Sequence, residues 1–355
     1  MKALILAGGT GSRLRPFTYN MPKQLVPVAN KPVLFHGLET LRKAGVTEAG
    51  LVVNADDRAV RAAVGDGSAF GLTITCIPQD EPRGLAHCVL IAQDFLADDD
   101  FLMYLGDNIF GDGLAVPAAQ FRDTRPAAQL ILVKVSDPSA YGVAEVDDSG
   151  HVLGLEEKPE RPRSNLAVTG AYFFTSQVHE AVRAIRPSWR NELEITHAVQ
   201  RLVSEGHEVR AHMCAGFWKD TGTVPELLDC NRAMLDDVEP RISGSVDALT
   251  QIGASVVIEP GASVTASRID GPTIIGRGST VADSYIGPYT AIGSGCSVRD
   301  AAVEDTIMLD RSSVQGVRGV KGSVIGQQAG VRGRRQELRA HRLIVGDDSR
   351  VEVPA

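Results

Sequence analysis

The sequence predicts an α/β chain of two domains, a mostly parallel sheet covered by helices and then a left-handed parallel β-helix, with the change near residue 240. Three observations predict it. Up to about residue 240, short apolar runs rich in Val, Ile and Leu alternate with segments of helical spacing. Beyond that point helical spacing disappears and aliphatic residues recur every 17 positions. The chain of 355 residues also exceeds the roughly 250 to 300 residues over which a single hydrophobic core keeps growing.

In chain order, Lys2 to Leu6, Gly50 to Val53, Thr73 to Ile77, Phe101 to Leu105 and Gln129 to Val135 read as strands. Pro32 to Ala44, Asp57 to Val64 and Leu85 to Phe95 read as the helices between them. That alternation is the signature of a parallel sheet with helices on both faces, whose ligands gather at the carboxyl ends of the strands. Chemistry is therefore expected after Leu6, Ile77 and Leu105.

In the second part, Ile252, Ile269, Ile286 and Val303 form one column at the 17-residue period. Ile258, Ile275, Ile292 and Leu309 form a second, and Val264, Val281 and Val298 a third. Each face of a triangular β-helix needs one small aliphatic residue pointing inward about every sixth position, with Gly or small polar residues at the corners. Gly253, Gly276, Gly287 and Gly293 follow aliphatic positions accordingly. A Gly-rich sandwich with accidental spacing is the alternative, and three aligned columns favour the β-helix. After Leu309 the repeat weakens through Val314, Val324-Ile325 and Val331, and Arg332 to Arg342 reads as an irregular cap.

Net charge is −8, and no long run of Lys or Arg interrupts it. This excludes a general surface for nucleic acid or anionic membrane, so any phosphate site must be local. The apolar run after Met1 stops at Gly8-Gly9, too short for a signal-peptide core, and no stretch approaches the roughly 18 apolar residues of a membrane span. Five scattered cysteines without a C-x-x-C spacing argue against a disulfide framework or a zinc cage. A cytoplasmic chain with no nucleic-acid partner and no membrane is expected.

The first strand ends in Leu6-Ala7-Gly8-Gly9-Thr10-Gly11-Ser12-Arg13-Leu14-Arg15-Pro16. Glycines let backbone N–H groups approach phosphate oxygens. A dinucleotide fingerprint requires a small residue where Leu14 stands and an acid about 20 positions on, and a P-loop requires a following Gly-Lys-Ser/Thr. Both fail. What remains is a Gly-rich turn followed by two cations, Arg13 and Lys23, suited to a polyphosphate. A structural turn with solvated cations stays open on spacing alone.

The opening segment, Pro22-Lys23-Gln24 and Asn30-Lys31-Pro32 together resemble the sugar-1-phosphate nucleotidylyltransferases. The likeness is greatest to long-form bacterial glucose-1-phosphate thymidylyltransferases of actinomycete antibiotic pathways. Matching segments continue in unbroken order to about residue 235: Gly84-Leu85-Ala86, Leu105-Gly106-Asp107-Asn108, Tyr141-Gly142-Val143, Glu156-Glu157-Lys158-Pro159, Thr169-Gly170-Ala171-Tyr172, Glu192-Leu193-Glu194-Ile195-Thr196 and Trp218-Lys219-Asp220-Thr221-Gly222. The resemblance implies a Rossmann-like nucleotidyltransferase domain over 1–240 and a hexapeptide-repeat β-helix with its cap over 241–355.

It also implies roles for residues that alone would read as turn formers, solvated charges or plain core. Asp107 and Asp220 are implied to hold Mg²⁺, a hard ion that takes one or two carboxylates. Arg13, Lys23 and Lys158 are implied as the catalytic cations. Leu6, Gly8, Gly9, Gly11, Gln79 and Gly84 are implied to bind the nucleotide, Gln79 and the Gly84 backbone reading a pyrimidine edge. Gly142, Glu157, Lys158, Val168 and Trp218 are implied to bind the sugar phosphate, Glu157 by accepting hydrogen bonds from sugar hydroxyls. Arg83 stands where many members carry an acid or small residue, and His87-Cys88 replaces a more usual Gln-Ala.

The implied reaction transfers a nucleotidyl group from a nucleoside triphosphate, dTTP first, to glucose-1-phosphate, giving dTDP-glucose and pyrophosphate. A homo-oligomer is expected. Alternatives are the same chemistry with UTP, ATP or GTP or with a pseudosugar phosphate, a bifunctional enzyme with an acyl-transferase tail, and a non-catalytic nucleotide-sugar-binding regulator. The tail reading lacks support because His341 is the single histidine beyond residue 240.

Overall fold

The computed structural model describes residues 1–9, 11–334 and 343–354. These divide into two compact units, residues 1–9 with 34–220 and residues 10–33 with 221–355. In the first, the strand Lys2–Leu6 lies between Phe101–Leu105 and Glu48–Asn54, with Thr73–Gln79 beyond, all four parallel. Ala3, Leu4 and Ile5 are fully buried, as expected for a strand covered on both faces. Helix Arg58–Val64 begins on Asp57, whose carboxylate accepts from the Val60 N–H at 3.0 Å. The single helix expected over Leu85 to Phe95 is two, Leu85–Ile91 and Gln93–Leu96, separated by Ala92 at φ −92° and ψ 3°.

The other half of this sheet is mixed. Leu166–Phe174 runs antiparallel to Phe101–Leu105, to Ala128–Lys134 and to Gly142–Val146. Parallel neighbours need a crossover, usually helical, and no helix lies between Lys134 and Leu166. Gly142–Val146 and Val152–Glu157 form a hairpin that ends the sheet and carries Glu157 at its open end, opposite Gly142. The core joins Leu4, Val52, Met103 and Phe174 to helices Leu85–Ile91, Val178–Ala184 and Ile195–Ser204.

The second unit holds the parallel β-helix. Ile252, Ile269, Ile286, Val303 and Val320 stack in register. Val264, Val281, Val298, Val314 and Val331 stack likewise. The remaining column runs Ile258, Ile275, Ile292, and then Met308 and Ile325 in place of the expected Leu309. The reason is a shortened face: six positions separate Ile286 from Ile292, whereas five separate Val303 from Met308. Burying each such aliphatic side chain is worth roughly 1.5–3 kcal/mol. Hydroxyls join the coils, Ser267 Oγ accepting from Ser284 N at 3.1 Å and Ser284 Oγ from Ala301 N at 3.2 Å. Of the expected cap, Arg332 lies within strand Gly330–Arg334, and residues 335–342, including His341, lie outside the described residues. Ile344–Val345 and Arg350–Pro354 then add to the two sheets.

Residues 10–33, which carry Arg13 and Lys23, are held to this unit by buried amides. Ala29 and Asn30, both left-handed at φ 48° and 59°, turn the Pro27–Val28/Lys31–Pro32 hairpin. The Ala29 N–H donates to Asn231 Oδ1 at 2.9 Å, and Asn231 Nδ2 donates to the Tyr289 carbonyl at 3.0 Å. Asn30 Nδ2 donates to the Ile292 carbonyl at 2.7 Å. Asn231 is fully buried on helix Val224–Asp236, whose Arg232 forks onto Asp305 at 2.8 and 2.6 Å. Asn231→Leu strands one donor and one acceptor, each costing about 1–3 kcal/mol. Urea denaturation of the full chain is expected to show a loss of about 3 kcal/mol. A loss below about 1 kcal/mol would mean that water replaces the amide. Among the described residues no helix is long and apolar enough to cross a membrane.

Candidate active site

The carboxyl ends of the parallel strands of the first unit, and the loops that follow them, carry Leu6, Gly8, Gly9, Gln79, Gly84 and Asp107. Gln79 ends Thr73–Gln79 and is 5% exposed. A cavity of about 190 Å³ is lined there by Leu6, Gly8, Gly9, Gln79, Gly84 and Glu192, among others. A Cβ on Gly8 would sit 2.8 Å from Gln79 Oε1, so a side chain there would displace that amide. Gly84 stands at φ +99°, with Leu193 O 2.5 Å from where a Cβ would be. That close approach follows from two backbone bonds, Leu193 N to Arg83 O at 2.7 Å and Ala86 N to Leu193 O at 3.0 Å.

Asp107 and Asp220, 113 positions apart by their numbers (220 − 107), are brought together by a short antiparallel ladder. Asn108–Phe110 pairs with Trp218–Asp220, placing Asp220 opposite Asn108, the residue next to Asp107. The Trp218 indole N–H donates to Asn108 Oδ1 at 2.7 Å, and Asn108 Nδ2 donates to Asp107 Oδ1 at 2.9 Å. Trp218 therefore orients a polar chain as well as supplying an apolar surface, its ring meeting Tyr141 edge-on at 5.8 Å. Asn108, 1% exposed, is a site residue that sequence reasoning passed over, although it follows Asp107 directly.

Glu157 and Lys158 lie at the open end of the hairpin, where its second strand leaves the sheet. Lys158 adopts φ 45°, and its N–H donates to Tyr141 O at 3.0 Å. Its ammonium lies 3.9 Å from Glu157 Oε1, Arg190 Nη1 lies 3.6 Å from the same oxygen, and Thr196 Oγ1 donates to Glu157 Oε2 at 3.0 Å. Burial, and then the neighbouring Glu194 carboxylate, push the Glu157 pKa above its ordinary value against the pull of Thr196, Lys158 and Arg190. Gly142 faces the same spot, for its Cβ position is 3.5 Å from Glu157 Oε2 and 3.7 Å from Val168 Cγ2. Arg190 was not foreseen. It bridges Glu157, Glu192 at 2.9 Å and Glu194 at 3.3 Å, and three acids so close around a motif were the signal that a cation belongs among them.

In the second unit, Arg13 lies on the turn Ser12–Leu14 after Gly11, and Lys23 on the turn Lys23–Leu25. The structure brings Gly11 and Lys23 together, the Gly11 Cβ position being 3.0 Å from Lys23 Cβ. Thr18 Oγ1, on the intervening turn Phe17–Tyr19, donates to Gly11 O at 2.7 Å.

A nucleotidyl transferase family model matches residues 2–237. The glucose-1-phosphate thymidylyltransferase of Streptomyces antibioticus is 54% identical over 99% of both chains, and that of Streptomyces griseus 52% over 99% of both. Among solved structures, a Bacillus anthracis chain in complex with a sucrose is 34% identical at a TM-score of 0.63, covering 68% of this chain and 98% of that one. UDP-glucose pyrophosphorylase complexed with UDP-glucose shares the fold at 23% identity and a TM-score of 0.60, over 66% of this chain and 98% of that one. Since identity above one half runs through the β-helix as well as the sheet, the chain belongs to the nucleotidyl transferase family, among the glucose-1-phosphate thymidylyltransferases.

Proposed function

We propose that the chain joins dTTP and glucose-1-phosphate into dTDP-glucose and pyrophosphate. The observation that carries this reading is the pairing of Asp220 with Asn108 beside Asp107, at the strand ends that also present Gln79 and Gly84. A sugar-phosphate oxygen forms a bond to the α-phosphorus while the bond to the pyrophosphate oxygen breaks, so no protein nucleophile is needed. The sugar phosphate is already anionic at neutral pH. The task is to overcome repulsion between two anions and keep them in line.

Arg13 and Lys23 neutralise the triphosphate, and Lys158 holds the sugar phosphate, with Arg190 a second cation at Glu157. Glu157 accepts from sugar hydroxyls, and Gly142, Val168 and Trp218 shape the space around the ring. Leu6, Gly8, Gly9 and Gly11 flank the nucleotide. Asp107 and Asp220 offer the hard carboxylate oxygens that Mg²⁺ prefers, and the Asn108 amide keeps one of them oriented, so the residues present fit this ion. When bound there, Mg²⁺ supplies positive charge against the crowded phosphate oxygens.

No disulfide joins any of the five cysteines, all of which lie among the described residues, and this suits a cytoplasmic enzyme. Exposed Ile242 and Leu249 on the first coil support a homo-oligomer. The test is turnover with a panel of nucleoside triphosphates and glucose-1-phosphate. dTTP is expected to be fastest and UTP about five- to tenfold slower, since UTP lacks one methyl contact worth about 1 kcal/mol or slightly more. A purine triphosphate preferred by more than about tenfold would remove the base assignment.

A further inference from the structure

The Gln79 amide is held on one side only. Its Nε2 donates to Cys88 Sγ at 3.4 Å and lies 3.3 Å from His87 Nδ1. Cys88 Sγ in turn donates to the Gly84 carbonyl at 3.8 Å, so the thiol hydrogen points away from Gln79 and a sulfur lone pair faces the amide. Burial pushes the Cys88 pKa up to about 12, which keeps it a thiol. Burial and the Arg83 guanidinium push the His87 pKa below its ordinary value, with Glu81 opposing, which favours the neutral ring, whose Nε2–H tautomer leaves Nδ1 to accept. With both Nε2 hydrogens engaged, Oε1 lies against Gly8 in the cavity wall.

We propose that His87 and Cys88 set which bases this pocket accepts, by fixing the Gln79 amide with its oxygen toward the base. This rests on the reading of Gln79 as the base contact. An acceptor at that place matches the N3–H of thymine or uracil. Cytosine brings a lone pair at N3, so acceptor meets acceptor, and the mismatch is buried. Without its two acceptors the amide turns over and offers NH₂, which suits cytosine N3. His87 and Cys88 are thus positioning residues that act through Gln79, and their contribution is read in the choice between bases rather than in stability.

The test measures kcat/KM for dTTP and for dCTP with glucose-1-phosphate in the full-length wild type, in His87→Leu/Cys88→Ala, and in His87→Gln, which keeps an acceptor beside Nε2. Thermal melts check that each variant is folded. The wild type is expected to favour dTTP by at least about 100-fold, the double variant to lose at least about tenfold of that ratio with a relative gain for dCTP, and His87→Gln to stay within about threefold of wild type. A folded double variant with the wild-type ratio overturns the proposal and leaves the reading of Gln79 standing. A His87→Gln ratio as low as that of the double variant also overturns it, because the acceptor would not be what matters. A wild type that takes dCTP as readily as dTTP overturns the reading of the pocket itself, and this inference with it.

Discussion

Asp107→Asn and Asp220→Asn each lower turnover at saturating Mg²⁺ and nucleotide by on the order of 100-fold or more, with the fold intact by circular dichroism. The amide keeps the shape and removes one negative charge where a hard cation would be held. Charge neutralisation grows as the two phosphates approach, so the loss appears in the transition state more than in loose substrate binding. The β-strand pairing that carries Asp220 and adjoins Asp107 is a backbone feature, so neither substitution breaks it. Asp107→Asn also changes what Asn108 Nδ2 meets, from a carboxylate oxygen to an amide, which loosens the chain running from Trp218. A folded variant at near-wild-type rate removes that carboxylate from the site.

Lys158→Met lowers kcat/KM by on the order of 100- to 1,000-fold, because it removes a cation set against a phosphate in a preorganised site. The length of the stem is kept, and the left-handed φ of 45° is as strained for Met as for Lys, so stability changes little. A second readout separates this role from a merely structural one. Lys158 is among the groups that pull the Glu157 pKa down against burial and Glu194. Removing it lets that pKa rise further. Less Glu157 is then ionised at a given pH, and the acid limb of the kcat/KM profile moves to higher pH. A variant with full kcat/KM, or a reduced one whose acid limb stays in place, contradicts the assigned position of Lys158 beside both sugar phosphate and Glu157.

What the sequence by itself determined is local and periodic. Leu4 and Ile5 read as a doubly covered strand because a buried strand has no polar face. Ile275 and Val281 read as inward positions because a coil of 17 residues returns them to the same face. Gly84, Lys158 and the two aspartates are legible only through the short matching segments that carry the family resemblance, since alone they read as turn formers or solvated charges. Tertiary structure decided whatever depends on which distant segments meet. Leu166–Phe174 runs antiparallel to Ala128–Lys134 because no helix lies between them to make a parallel crossover, and Met308 displaces Leu309 because one face of a coil is a residue shorter. Asn231 joins the Lys23-bearing segment to the β-helix through an amide whose neighbours come from residues 29 and 289. Arg190 meets Glu157 33 positions away and Asn108 meets Trp218 110 positions away (190 − 157, 218 − 108). Periodicity records which side of an element is buried, since burial acts on each residue as it stands; the partner across a ladder or an ion pair is chosen by closure of long loops and by desolvation of both groups together, and neither is written within the reach of one element.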